Sequence, residues 1–412
     1  MRSNHAAAGL SRGRARRAAL VPLVLFAFAT FAVAATATNK VAQATGPTYK
    51  VAGTIGKEGT GNGQFSSNVT GLAVDAAGNV YASDGNLYRV QAFSPKGAYL
   101  RKYAMVTGEG GTSDVAVGPT GDVWATTDTG GIVRRFPKSG GASETFATPK
   151  SASGVAVDAD GNVYVSTSGD NIAGVVRFDK TDTGWADAKM WVGGGFQWPI
   201  DVETSPDGTI YVADVKGAPP NIKRYDANGK LLNKINMKTQ ATAGAGVQLG
   251  IGVDPDCNVW ATNNEQRNVM QYSPTGKLLA TATSGDMLAK DIAIGPNGDL
   301  YAFEVYTMKI IRFSLDRSKP AAARVPGQLT ASKGKATIKY TLTGVACPAQ
   351  LTGVATLSGA VTGKAAVKVA AGKTTVLSIP VKGKSGKAQF KIVLKTNGRP
   401  TTQTASVSVT VK

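Results

Sequence analysis

The chain of 412 residues carries one histidine, His5. It has only two cysteines, Cys257 and Cys347. His5 lies in a segment with the features of an export signal, so the mature chain has no imidazole at all. That excludes a Ser-His-Asp triad and a Cys-His zinc site. Acidic residues are missing from both ends: residues 1–38 hold five arginines and no carboxylate, and residues 326–412 hold 13 Lys and Arg with none. The stretch between them is nearly balanced, 28 cations to 27 anions, so almost all of the net charge of +19 is terminal. No long segment repeats its apolar residues with a helical period, which argues against helices and for short strands. No hydrophobic run follows the first one, so nothing near the C-terminus is expected to anchor the chain.

Residues 1–37 read as a signal peptide: Arg12, Arg14, Arg16 and Arg17, an apolar run of 18 residues over 18–35, then AVA and ATA as cleavage sites. Eighteen apolar residues are also about the minimum for spanning a bilayer, so an uncleaved anchor is the alternative. A secreted or extracellular protein, associated with the cell envelope, is the expectation.

Six segments then share one pattern: DAAGNVYASD, GPTGDVWATT, DADGNVYVST, SPDGTIYVAD, DPDCNVWATN and GPNGDLYAFE. Their turn residues, Gly78, Gly121, Gly161, Gly208, Cys257 and Gly298, are spaced by 43, 40, 47, 49 and 41 residues, about the length of a four-stranded propeller blade. Each turn is followed by an aromatic at one fixed place: Tyr81, Trp124, Tyr164, Tyr211, Trp260, Tyr301. Six aromatics in one column predict six equivalent packing sites between neighbouring sheets. The sixth copy lacks a fourth strand, while an unpaired strand over residues 48–57 precedes the first. A ring must close or expose an edge, so the leading strand is expected to complete the last sheet. The fold class is therefore all-β: a six-bladed β-propeller over 38–317, a linker over 318–327, and a small immunoglobulin-like β-sandwich over 328–412.

The segment VAGTIGKEGTGNGQF followed by GLAVDAAGNVYASDGNLYRVQAFSPKGAYL resembles an NHL repeat, and the resemblance covers about residues 48–315. The copy VGPTGDVWATTDTGGIVRRF is also similar to the repeats of streptogramin-lyase-like propellers. Those lyases rely on a catalytic histidine, and amidating lyases built on NHL repeats hold zinc with histidine; neither mechanism carries over to a mature chain without one. Lactonases of the gluconolactonase type place Asn or Asp just before the residue that opens an inner strand. The matching residues here are Thr70, Ser113, Ser153, Ile200, Leu249 and Lys290, so that site does not carry over either.

Two columns remain as candidate sites. At the opening of the inner strands, copies one, three and five have Gly71, Gly154 and Gly250, whereas two, four and six have Asp114, Asp201 and Asp291. A ring of three carboxylates would hold a hard cation such as Ca2+ through oxygen or grip a cationic ligand; the alternative is that each Asp caps local backbone amides. At the end of the second strands stand Asp84, Thr127, Thr167, Asp214, Asn263 and Glu304. Asp at this place is usually structural in NHL repeats. Asp84, Asp214, Asn263 and Glu304 are nevertheless the ligand-binding candidates, on a polar face with the most variable loops, VKGAPPN among them.

A monomeric, non-catalytic binding protein is the leading expectation, with a protein, peptide or glycan on the propeller loop face and no cofactor beyond the cation named above. A metal-dependent hydrolase or a lyase without histidine is the alternative. The Lys-rich tail would adhere to an anionic cell-wall polymer, or serve solubility only. Nucleic acid is not expected. An oxidising compartment favours a disulfide between Cys257 and Cys347 over two free thiols.

Overall fold

The computed structural model describes residues 48–149, 151–168, 173–216, 219–237, 249–316, 328–332, 335–341, 350–370, 374–396 and 399–411. The export segment and the interdomain linker lie outside them.

Residues 48–316 form six four-stranded antiparallel sheets. Their first strands are Val69–Val74, Thr112–Val117, Ala152–Val157, Pro199–Thr204, Ile251–Val253 and Ala289–Ile294. Each contacts the next, and the sixth contacts the first, so the six sheets form a closed ring with these strands at its hub. This is a β-propeller. Thr48–Ile55 supplies the missing outer strand of the last sheet, running antiparallel to Lys309–Asp316 in a register that takes Thr48 to Asp316 and Ile55 to Ile310. The leading segment thus removes the open edge, as the repeat arithmetic required.

Each repeat begins with a tight turn. In the first, Gly78 N donates to Asp75 O at 2.9 Å and Asp75 N to Asn79 O at 3.0 Å. The glycine, at φ 86°, is the left-handed residue that a three-residue hairpin loop needs. Cys257 takes this place in the fifth copy at φ 60°, a conformation that costs an L side chain about 1 kcal/mol.

The column of aromatics seals the sheet junctions. Tyr81 packs with Val115 and Val123 of the second sheet, Trp124 with Val155 and Val163 of the third, and Tyr164 with Val202 and Ile210 of the fourth. Tyr211, Trp260 and Tyr301 repeat the arrangement around to the first sheet. None of the six is more than 7% exposed.

The tail is all-β as well. Gln328–Ser332, Lys335–Thr341, Gln350–Ala370, Thr374–Thr396 and Arg399–Val411 form one five-stranded system, in which Lys335–Thr341 also pairs with Thr374–Thr396. Two of these strands are long, 21 and 23 residues, and the longer, Thr374–Thr396, pairs with three others. Gly359 and Gly383, both at φ 126°, interrupt the regular strand geometry of these two, the first at a register shift. Side chains alternate: Ala388, Phe390 and Ile392 are buried, while Lys387 and Lys391 are exposed.

Candidate functional site

The hub is built from the alternating Gly and Asp column. Asp114 Oδ2 accepts the backbone N–H of Val155 at 2.7 Å, one sheet onward, and its Oδ1 accepts that of Val115 at 2.7 Å. Asp201 repeats this with Ile251 and Val202, both at 2.7 Å. Asp291 accepts Leu72 N at 2.6 Å, closing the ring from the sixth sheet to the first, together with Ile292 N. These bonds tie even sheets to odd ones. The other three junctions depend on glycine. A Cβ on Gly71 would lie 2.3 Å from Asp114 Oδ1, one on Gly154 2.7 Å from Asp201 Cα, and one on Gly250 2.2 Å from Asp291 Oδ1. Only glycine lets the neighbouring Asp backbone come so close.

The expectation of a cation-holding ring at Asp114, Asp201 and Asp291 is therefore corrected. Both oxygens of each carboxylate already accept backbone amides, and no group of three His, Cys, Asp or Glu among the described residues is placed to hold a metal. Burial pushes the Asp201 carboxyl up to about 7. Burial, then the charge of Asp201, raises Asp114 and Asp291 well above the usual carboxylate range, with Asp114 adding to the effect at Asp291.

The second column is also framework. Asp84, Asp214, Asn263 and Glu304 are each at most 4% exposed. Asp84 takes Ser66 N at 3.2 Å and the Ser66 hydroxyl, and it pairs with Arg89, whose guanidinium donates to Thr60 O and Gln64 O. Asp214 accepts Trp198 N at 2.7 Å and Gln197 N at 3.1 Å, and it pairs with the buried ammonium of Lys223. Asn263 Oδ1 accepts Gln266 N at 3.1 Å. Glu304 accepts Tyr306 N at 3.0 Å and Thr307 N at 2.8 Å. Burial works against the charge of Glu304, but these bonds and the Thr307 hydroxyl hold its carboxyl below the ordinary value. These four side chains are spent on loops and are not presented to a ligand, because a buried carboxylate must satisfy its lone pairs locally.

What they hold is exposed. Trp198 and Tyr306 sit where their sheets carry the end of the second strand, and they are 41% and 59% exposed. Each ring meets a cation: Lys216 Nζ lies 3.9 Å from the centre of the Trp198 ring, and Arg267 Nη1 donates to the Tyr306 hydroxyl at 2.6 Å. Neither aromatic falls in a repeat column, so the sequence comparison passed over both. A further residue it missed is Glu203. It stands two residues after Asp201, where the other copies have Ala73, Ala116, Ala156, Gly252 and Ala293, and a column comparison would have revealed it.

Cys257 is buried and disulfide-bonded; Cys347, the only other cysteine, lies outside the described residues.

No family model and no curated protein matches the chain. Among solved structures it is similar to a streptogramin B lyase, at 13% identity and a TM-score of 0.48, covering 65% of this chain and 98% of that one. It is also similar to a gluconolactonase from Xanthomonas campestris, at 15% identity and TM-score 0.47, with 65% and 98% covered. The WD40 β-propeller domain of Doa1 matches at 15% identity and TM-score 0.45, with 67% and 100% covered. The propeller assignment itself rests on the strand pairing described above.

Proposed function

We propose that the chain is a secreted binding protein that recognises a protein, peptide or glycan through the propeller face bearing Trp198 and Tyr306. The observation that carries this reading is the way buried carboxylates pin the backbone of exposed rings: Asp214 holds Trp198 N, and Glu304 holds Tyr306 N. A large ring kept in one place loses little conformational entropy when a partner covers it, which is what makes aromatic side chains dominate binding energies. The adjacent Lys216 and Arg267 add cationic donors at the same positions.

A hydrolase using Asp114, Asp201 and Asp291 is the competing reading, and the engagement of those carboxylates with backbone amides weighs against it. Retention at the envelope through the Lys-rich tail belongs to the same proposal. Lys364, Lys382, Lys384, Lys387 and Lys391 are all exposed, and no carboxylate in residues 326–412 competes for them.

Glycan and peptide arrays probed with the chain from residue 38 onward test the recognition step. Trp198→Ala combined with Tyr306→Ala should abolish the strongest signals while leaving the melting temperature nearly unchanged. An unaltered binding profile in the double variant would refute the proposal.

A further inference from the structure

Where the fifth and sixth sheets meet, the loop face carries a cation on a strained backbone. The residue just before the third strand is left-handed in the first, second, fifth and sixth sheets: Tyr88 at φ 48°, Gly131 at 60°, Arg267 at 55° and Met308 at 51°. The second sheet has glycine there, the residue that adopts this conformation without strain. The fifth has Arg267 despite the penalty, and such outliers cluster where a side chain is held for a partner.

The backbone that carries the guanidinium is fixed on both sides. Asn263 Oδ1 accepts Gln266 N at 3.1 Å, and the Thr283 hydroxyl donates to Arg267 O at 3.0 Å. Arg267 Nη1 donates to the Tyr306 hydroxyl at 2.6 Å, and its Cζ lies 5.4 Å from the centre of the Tyr306 ring. Its one carboxylate partner among the described residues is Asp286, whose Oδ1 lies 3.6 Å from Nε on a side chain 81% exposed, so water screens the pair. A guanidinium offers five N–H donors in a planar fork, and most of these remain for an incoming anion. The fourth sheet repeats the pairing: Lys216 Nζ lies 3.9 Å from the centre of the Trp198 ring and forms no ion pair among the described residues. Both exposed rings therefore carry a cation with donors to spare.

We propose that this face takes a carboxylated glycan, with a uronate ring packed on Tyr306 and its carboxylate docked on Arg267. The proposal rests on the reading of the face as a recognition surface and narrows it to one ligand class. A pyranose presents C–H groups of slight positive charge, and the face of an aromatic ring is negative. In a hexuronate the carboxylate is fixed to that same rigid ring, so stacking and the two-pronged contact with Arg267 form together. An acidic peptide carries its carboxylate and its apolar groups on separate side chains, each of which must be ordered at its own entropic cost. Asp286 occupies part of the guanidinium in the free protein and competes with the ligand.

The test is calorimetric titration of the chain from residue 38 onward with tetramers of galacturonate and of glucuronate. Salt at about 0.15 M, where the Debye length is about 8 Å, weakens contacts of the Lys-rich tail with the same probes. The methyl esters keep the rings without the charge, and tetraglutamate keeps the charge without the rings. Saturable binding of at least one uronate is expected, with its ester and tetraglutamate weaker by about tenfold or more. Arg267→Gln keeps the stem without the charge, and Arg267→Gly installs the residue of the second sheet, which suits the φ of 55°. Both should weaken uronate binding about tenfold to a hundredfold, the loss of one charge-assisted hydrogen bond. Asp286→Asn, which removes the competitor, should tighten it. No heat from either uronate in a chain of native melting temperature, unchanged affinity in both Arg267 variants, or uronate binding that vanishes only on deletion of residues 328–412 would each overturn the proposal. Ester or tetraglutamate binding as tight as that of the uronates, yet lost in the Trp198→Ala, Tyr306→Ala double variant, would overturn the uronate assignment and leave the recognition surface standing. Uronate binding untouched by that double variant would overturn both.

Discussion

Raising the pH from 5 to 8 should destabilise the propeller, and the hub sets the size of the effect. The Asp201 carboxyl is pushed up to about 7 by burial in the folded chain, against about 3.9 when unfolded. Below about pH 4 both states are protonated and this group makes no difference. Between about pH 4 and 7 the unfolded chain releases a proton that the folded chain keeps, so stability falls as pH rises through that window. Three units at about 1.4 kcal/mol each amount to about 4 kcal/mol by pH 8 from Asp201 alone. Asp114, Asp291 and Glu203, raised by burial and by one another's charge, act in the same direction. Asp122, Asp207 and Glu304 oppose them only at acid pH. Burial works against these three charges too, but hydrogen bonds hold their carboxyls below the ordinary value, so their contribution is lost as pH falls. Asp201→Asn removes the titration but turns an amide donor toward Val202 N or Ile251 N, at a cost of about 1–3 kcal/mol. Urea unfolding at pH 5, 6, 7 and 8 should therefore show the variant less stable than wild type at pH 5 and the gap closing or reversing by pH 8. A wild-type stability that stays flat or rises over this range, or an Asp201→Asn chain with the wild-type slope, would refute the reasoning.

Gly154→Ala should cost about 1–3 kcal/mol in the same assay, because its Cβ would meet Asp201 Cα at 2.7 Å and Val202 N at 2.8 Å. Trp124→Ala should cost about 3–5 kcal/mol, since a fully buried ring between two sheets is replaced by a cavity. Reduction of the Cys257 disulfide should lower the melting temperature, and Cys257→Gly should melt above the reduced wild type because it relieves the φ of 60°. Deleting residues 328–412 should release the protein from cell walls, and high salt should release the intact chain; retention of either would remove the electrostatic account of the tail.

Much of the framework was legible because each repeat carries its own local instructions. Gly78 and its counterparts supply the left-handed residue of the turn, the aromatic column marks the junctions, and the missing strand of the sixth copy pointed to residues 48–57. The turn carboxylates carry more than the repeat comparison suggested: Asp75 Oδ1 accepts Ala77 N and Asn79 N, while its Oδ2 takes Asn79 Nδ2 and the Tyr81 hydroxyl. In the second and sixth copies, where Gly118 and Gly295 stand at that place, Asp122 and Asp299 follow the turn glycine and meet Arg135 and Arg312. The hub was visible as an alternation but not as a mechanism. Whether Asp114 meets a metal or an amide depends on a sheet 41 residues onward, and for Asp291 the partner is 219 residues away. Trp198 and Tyr306 left no periodic trace, because surface residues on variable loops obey no repeat.

Thermal unfolding of Asp214→Ala beside Trp198→Ala separates framework from recognition in one experiment. Removing Asp214 frees the Trp198 backbone and leaves the buried Lys223 ammonium unpaired, so a loss of about 3–5 kcal/mol is expected. Removing the exposed Trp198 ring should change stability by about 1 kcal/mol or less. A stable Asp214→Ala chain alongside an unfolded Trp198→Ala chain would contradict the division of labour between buried carboxylates and the rings they hold.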